Sequence, residues 1–215
     1  QPHVYKDDLE IVKIPLPPKD IQQKIINEIE DLEVFEKDSK DKIKKYTQDI
    51  NLMINALETN KKVFISDISE NLDNKRKPVT ARDRTNGIYP YYGASGIVDY
   101  VDDYLIDDIV LLISEDGANL KSRGTPIAFT ASGKIWVNNH AHILKPKTEA
   151  YGFWEKLLCS VDYTVFITGA AQPKLSRENL GGIRLPIPPI NEQLKIEKFI
   201  DQKTSEIDQA IAIKE

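Results

Sequence analysis

The sequence predicts an α+β protein in which a β-rich globule, residues 61–187, is flanked by two long helices forming a coiled-coil spacer. Three observations predict it. A segment near the start repeats near the end, an apolar heptad runs from Ile25 to Leu57, and the chain between them breaks into short β-prone runs.

The repeat fixes the boundaries. Residues 9–30, LEIVKIPLPPKDIQQKIINEIE, align without gaps on residues 180–201, LGGIRLPIPPINEQLKIEKFID, with eight of 22 positions identical. The identities continue past the prolines: Gln22/Gln193, Lys24/Lys195, Ile25/Ile196 and Ile29/Ile200. Each copy has a β-prone stretch ending in P-x-P-P, which holds the chain extended. A helix then starts, with Asp20 and Asn191 as matched N-cap candidates. The organisation is 1–17, 18–60 for the first helix, 61–187 for the globule and 188–215 for the second helix.

In the first helix the a/d series is Ile25, Ile29, Leu32, Glu36, Ser39, Ile43, Tyr46, Ile50, Met53 and Leu57, eight of ten apolar. From Ile25 to Leu57 it extends ~50 Å at ~1.5 Å per residue. The second helix carries Ile196, Ile200 and Ile207. These stripes must pack on each other or on the same helices of another chain.

In the globule, β-prone runs fall at Val63–Ser66, Ile88–Tyr92, Ile97–Val101, Ile109–Ser114, Ile127–Thr130, Ile135–Val137, His142–Leu144 and Thr164–Thr168. Turn chemistry such as Asn86-Gly87 and Ser132-Gly133 separates them. Helices are expected at Tyr151–Val161 and, for one turn, at Ser176–Leu180.

Composition excludes some classes. Of 215 residues 29% are charged, mean hydropathy is −0.41, and no apolar run approaches the ~20 residues that span a bilayer. With no secretory signal pattern, a cytoplasmic location with no membrane is expected. The chain opens on Gln1 rather than Met, so its natural start is expected upstream. Cys159 is the only cysteine, which excludes an internal disulfide and a Cys-rich zinc site. The net charge is −5, but acid is concentrated in the helical parts. Residues 18–60 carry 7 Lys/Arg and 10 Asp/Glu, residues 61–187 carry 16 and 15.

The repeat unit of β stretch, P-x-P-P, x-x-x-Q-x-x-I and long helix resembles the end of a target-recognition domain and the helical region after it in specificity (S) subunits of Type I restriction-modification systems. Thr168–Phe199, Tyr89–Val101, Ile109–Gly117 and Trp136–Lys145 also resemble segments of that family. The resemblance implies that 1–17 is the tail of a preceding target-recognition domain and 61–187 a complete one, about half a subunit. It implies sequence-specific binding of double-stranded DNA without catalysis. Partners would be methyltransferase (M) subunits and a restriction (R) subunit, and a homodimer through the long helices is one arrangement it allows. S-adenosylmethionine, ATP and Mg are expected only in the partner subunits, with no cofactor in this chain.

A DNA reader needs phosphate anchors and base-edge readers. Lys75, Arg76, Lys77, Arg82 and Arg84 lie in a segment with little apolar content, which is expected to project. Lys121 and Arg123 form a second basic group. Arg can pair with guanine, and Asn or Gln with adenine, so Asn138, Asn139 and Gln172 join the candidates. Tyr91 and Tyr92 face opposite sides of a strand; one is core, and Tyr92 is the candidate DNA contact. Gly169, Gln172 and Leu175 match the family's G-x-x-Q-x-x-L pattern, where Gly and Gln are fold-defining.

No catalytic motif is present. Asp107, Asp108, Glu115 and Asp116 read as solvated turn residues. Two alternatives remain: a coiled-coil interaction module without DNA readout, and a hydrolase centred on His140 and His142.

Overall fold

A computed structural model describes residues 15–57, 61–169 and 172–212, in two compact units, 1–45 and 46–215. The first copy of the repeat before Pro15, and most of the expected domain tail 1–17, lie outside the described residues.

Helix α1, Lys19–Ala56, begins one residue before its expected cap. Its first turn shows why the repeat keeps its glutamine. Gln22 Nε2 donates to the Pro17 carbonyl at 2.7 Å, and the backbone N–H groups of Ile21 and Gln22 donate to Pro18 O. In the second copy Gln193 Nε2 donates to Pro188 O at 2.9 Å, and the N–H groups of Glu192 and Gln193 to Pro189 O. The glutamine thus closes a carbonyl that proline geometry leaves turned toward the helix start.

The unit 46–215 is built on a six-stranded mixed sheet. Its strands are β2 (Ser69–Asn71), β3 (Asn86–Gly93), β4 (Gly96–Val101), β5 (Ile106–Ser114), β6 (Ala128–Val137) and β7 (Ala141–Pro146). The order is β2-β7-β5-β6-β3-β4, with β3 and β6 parallel and the other neighbours antiparallel. The runs Ile127–Thr130 and Ile135–Val137 are one strand, not two. Gly133, at φ 78°, lets it bend instead of ending. The bend is large. Tyr92 pairs with Val137, yet its ring centroid lies 5.9 Å from that of Phe129, eight residues earlier in β6. A flat strand would put those positions ~27 Å apart.

Bending gives β5 two buried faces. Val110 and Leu112 enter the concave core with Leu72, Ile106, Ile135, Val137 and Ile143. Leu111 and Ile113 enter a second core with α4 (Tyr151–Ser160) and α6 (Ile190–Ala212). That explains the unbroken apolar run Val110–Ile113. Smaller elements complete the unit. A strand pair joins β1 (Lys62–Phe64) to β10 (Arg184–Pro186), bringing the two ends of the globule together. Another joins β8 (Ile167–Thr168) to β9 (Lys174–Leu175). Short helices are α2 (Ile65–Ile68), α3 (Gly117–Ser122) and α5 (Arg177–Gly181), the last capped by Ser176 Oγ accepting from Asn179 N at 3.1 Å. Thr164–Phe166, expected in a strand, forms a 3₁₀ turn.

The coiled-coil stripe divides. Ile54 and Leu57 are buried with Ile196 and Ile200, and Ile50 and Met53 pack against that cluster. Tyr46 donates to Glu206 Oε2 at 2.9 Å, and Lys203 lies 4.8 Å over its ring, so from Tyr46 onward α1 meets α6 of the same chain. Ile207 is half-buried. Ile25, Ile29, Leu32 and Ile43 are exposed. The two repeat copies differ in burial: Ile196 and Ile200 are 5% and 4% exposed, while Ile25 and Ile29 are 45% and 49%.

Ile196→Ala is expected to cost about 3 kcal/mol of stability by opening a cavity. Ile25→Ala, its counterpart in the repeat, is expected to change stability by no more than about 0.5 kcal/mol. Chemical denaturation of the two variants checks both.

Candidate nucleic-acid interface

Five chain segments meet through hydrogen bonds beside the bent sheet. Lys77 N donates to Val137 O at 3.0 Å, and Trp136 Nε1 donates to Lys77 O at 2.7 Å. Asn138 N donates to Tyr92 O. Ser95, in the β3–β4 turn, meets Thr125 Oγ1 at 3.0 Å, and Thr125 in turn bonds Asn119 of α3. Glu115 N donates to His140 O, and Leu175 N to Glu115 O. Residues 73–77, 93–96, 115–125, 138–141 and 172–175 thus form one connected surface.

A buried charge cluster lies beneath it. His142, on β7, is 1% exposed in its side chain. Its Nδ1 donates to Asp73 Oδ2 at 2.6 Å and its Nε2 to Leu175 O at 2.8 Å. Asp73 Oδ1 accepts from Ile143 N at 2.8 Å. Arg76 donates to Glu115 Oε2 at 2.6 Å and to Ala141 O at 3.2 Å, with Asp73 at 3.4 Å, and Lys174 reaches Glu115 Oε1 at 3.0 Å. Burial opposes ionisation of Asp73, but the His142 hydrogen bond and charge, the Ile143 amide and Arg76 outweigh it and hold its carboxyl below the usual range. Glu115 is likewise desolvated, yet held low by hydrogen bonds from Arg76 and Lys174 and by nearby positive charge.

The candidate residues sort by what holds them. Arg76 is committed to this cluster. Arg84 stacks 4.5 Å over the Tyr91 ring, donates from Nε to Val79 O at 3.1 Å and pairs with Asp99 at 3.0 Å. Arg123, at φ 53°, donates to Cys159 O at 2.6 Å and to Val161 O, satisfying carbonyls at the end of α4. These three arginines have structural partners that the sequence reading did not foresee. The segment 72–85, expected to project, is instead stitched to β3 and β6, because Tyr91 Oη accepts from Val79 N and Trp136 binds Lys77 O. Tyr92 is half-buried against Phe129 and Asn138 is 7% exposed, its Oδ1 accepting from His140 N at 2.8 Å. Lys75, Lys77, Arg82, Lys121, Asn139 and Gln172 are exposed. Lys77 lies 5.6 Å over the Trp136 ring. A Cβ on Gly169, at φ 97°, would fall 2.8 Å from Gln172 O, so this glycine shapes the loop that presents Gln172.

The acidic residues read as solvated divide as well. Asp108 pairs with Lys145, Glu115 belongs to the buried cluster, and Asp116 faces His140. No sequence signal joins Asp73 to His142; only the fold brings them together. His140 and His142 do not converge, one being exposed and the other buried. Among the described residues no group of three or more His, Cys, Asp or Glu could hold a metal. No helix among them is long and apolar enough to cross a membrane.

Comparison with known proteins agrees with this architecture. The chain belongs to the family of the Type I restriction modification DNA specificity domain, whose model matches residues 58–214. It is 35% identical over 143 residues to S.HindORF215P of Haemophilus influenzae, named as a type I restriction enzyme specificity subunit; the match covers 66% of this chain and 36% of that protein. Its fold is similar to the S subunit of a Type-I restriction-modification system from M. genitalium, with TM-score 0.61, 16% identity, and 88% of this chain and 54% of that one covered. A second similar chain comes from work on complex assembly and conformational transition of the type I R-M system. It has TM-score 0.52 and 16% identity, over 94% of this chain and 56% of that one. The chain thus spans between about a third and just over half of these relatives.

Arg76→Ala is expected to destabilise the fold by about 3 kcal/mol, because it strips a partner from two largely buried carboxylates. Both carboxyls have folded pKa values below their unfolded ones. Their contribution is therefore fully present above the ordinary carboxylate range, about pH 4, and is lost as pH falls through the lower folded values. Denaturation of wild type and variant between pH 3 and pH 7 checks both size and sign, with the variant's curve the flatter.

Proposed function

We propose that this chain is the part of a Type I specificity subunit that reads one half of a bipartite DNA target and has no catalytic activity of its own. The observation that carries this is the family match at 58–214, which takes in the globule and α6. The alternative, a coiled-coil module without DNA readout, is the weaker reading because the match leaves out α1, Lys19–Ala56. In the favoured reading Lys75, Lys77, Arg82 and Lys121 grip phosphates, while Asn139 and Gln172 face bases. Arg76, Arg84 and Arg123 hold the loops that carry them.

Residues 61–187 are then the target-recognition domain, and 18–60 and 188–215 are spacer helices that set the distance between readers and dock methyltransferase subunits. A restriction subunit joins that core. S-adenosylmethionine, ATP and Mg act in those partners, in the cytoplasm. The exposed Ile25 and Ile29 face supports 1–17 as the tail of a preceding recognition domain. A domain seated on α1, as residues 61–187 are seated on α6, would cover it. A pair of these chains joined through the long helices is the other way to supply two readers.

Methylome sequencing of cells expressing the chain with a methyltransferase subunit tests this. A two-fold symmetric bipartite adenine motif means two copies per complex. An asymmetric motif means a different second reader, and no motif with both proteins present would overturn the reading. Lys75→Ala, Lys77→Ala and Lys121→Ala are each expected to weaken binding to all duplexes alike and to reduce the salt dependence of log K by about 1. Titrations at several salt concentrations measure it.

A further inference from the structure

The turn from β6 to β7 holds His140 at three points. Its N–H donates to Asn138 Oδ1 at 2.8 Å, its carbonyl accepts from Glu115 N at 2.9 Å, and its ring Nδ1 lies 3.1 and 3.2 Å from the two oxygens of Asp116. Even so, the side chain is 49% exposed, and Nε2 has no hydrogen-bond partner among the described residues. Asp116 stands at the N-cap of α3, where a carboxylate ordinarily accepts from a free helix N–H. It makes no such bond here, and both its oxygens face His140 instead. Ordering an exposed ring costs side-chain entropy, and nothing in the fold needs Nε2.

We propose that His140 reads a base edge in the major groove, with Asp116 as its positioning residue. The proposal rests on the DNA-reading function above. An ionised carboxylate only accepts, so in the neutral imidazole the proton sits on Nδ1, facing Asp116, and Nε2 carries the lone pair. The base group that meets it must donate. In the major groove adenine N6 and cytosine N4 carry amino hydrogens, whereas guanine O6 and N7 and thymine O4 are acceptors. His140 therefore selects adenine or cytosine at one position and rejects guanine and thymine. Exposed Asn139 next to it is placed for an adjacent base.

Selection of the full chain on a randomised duplex library tests this, with wild type beside His140→Ala, His140→Gln and Asp116→Asn. Wild type is expected to select a motif with adenine or cytosine at the position concerned. His140→Ala loses about tenfold discrimination there, keeps the other positions, and melts like wild type, because backbone bonds hold the turn. His140→Gln, whose carbonyl oxygen can accept the same amino hydrogen, restores part of the preference. Asp116→Asn can donate to Nδ1, moves the proton to Nε2, and admits guanine or thymine at that same position, a change that a merely structural role would not produce. A wild-type motif unchanged in all three variants overturns the proposal. So does an equal loss at every position, the mark of a phosphate contact. If wild type selects no motif, the DNA-reading function itself fails.

Discussion

Five charged or titratable side chains, Asp73, Arg76, Glu115, His142 and Lys174, come from four separate stretches of chain and meet beneath the loop surface. Removing any of them from water is costly, and the cost is recovered only when every partner is in place. The cluster is therefore an all-or-none clamp. It ties the 73–77 turn, the end of β5, the start of β7 and β9 to one another, and the surface above depends on that arrangement. Apolar packing alone would not fix these loops, since between β5 and α3 the chain has few apolar residues to bury.

Curvature is the second constraint. By bending at Gly133, β6 brings both Phe129 and Val137 to Tyr92. The same bend gives β5 two buried faces, one in each core. Loops far apart in sequence then share one connected surface, which is what a reader of several adjacent base pairs requires.

Much of this was legible in the sequence, and the parts that were not have a common cause. The repeat, the long helices and most strands follow from local rules: proline geometry, heptad spacing and turn residues. The fate of individual cations does not. Arg76, Arg84 and Arg123 look the same in sequence as Lys75, Lys77 and Arg82. Yet guanidinium groups, planar and able to donate to several acceptors at once, are the ones drawn into the cluster, the tyrosine stack and the helix end. Arg82 is the exception, left on an exposed 3₁₀ turn. His140 and His142, the centre of the hydrolase alternative, stand two residues apart in sequence. The bonds that set their different roles run to Asp116 and Asp73, partners distant in sequence.

The same sorting removes the objection that an acidic chain makes a poor DNA ligand. Asp73, Asp99, Asp108 and Glu115 are each paired with Arg, Lys or His, which leaves the net charge unchanged but sets each carboxylate beside an opposite charge. Their fields are largely cancelled within the globule. Lys75, Lys77 and Lys121 are exposed on the connected surface, and Lys77 lies over the face of the Trp136 ring. Phosphates respond to the potential at the surface they approach, which falls off over about 8 Å at physiological salt. Much of the acid of 18–60 lies on the helix Lys19–Ala56 rather than on the globule. Under the proposed function, the exposed lysines would set the affinity for duplexes, and fixed polar groups such as His140 would set the sequence.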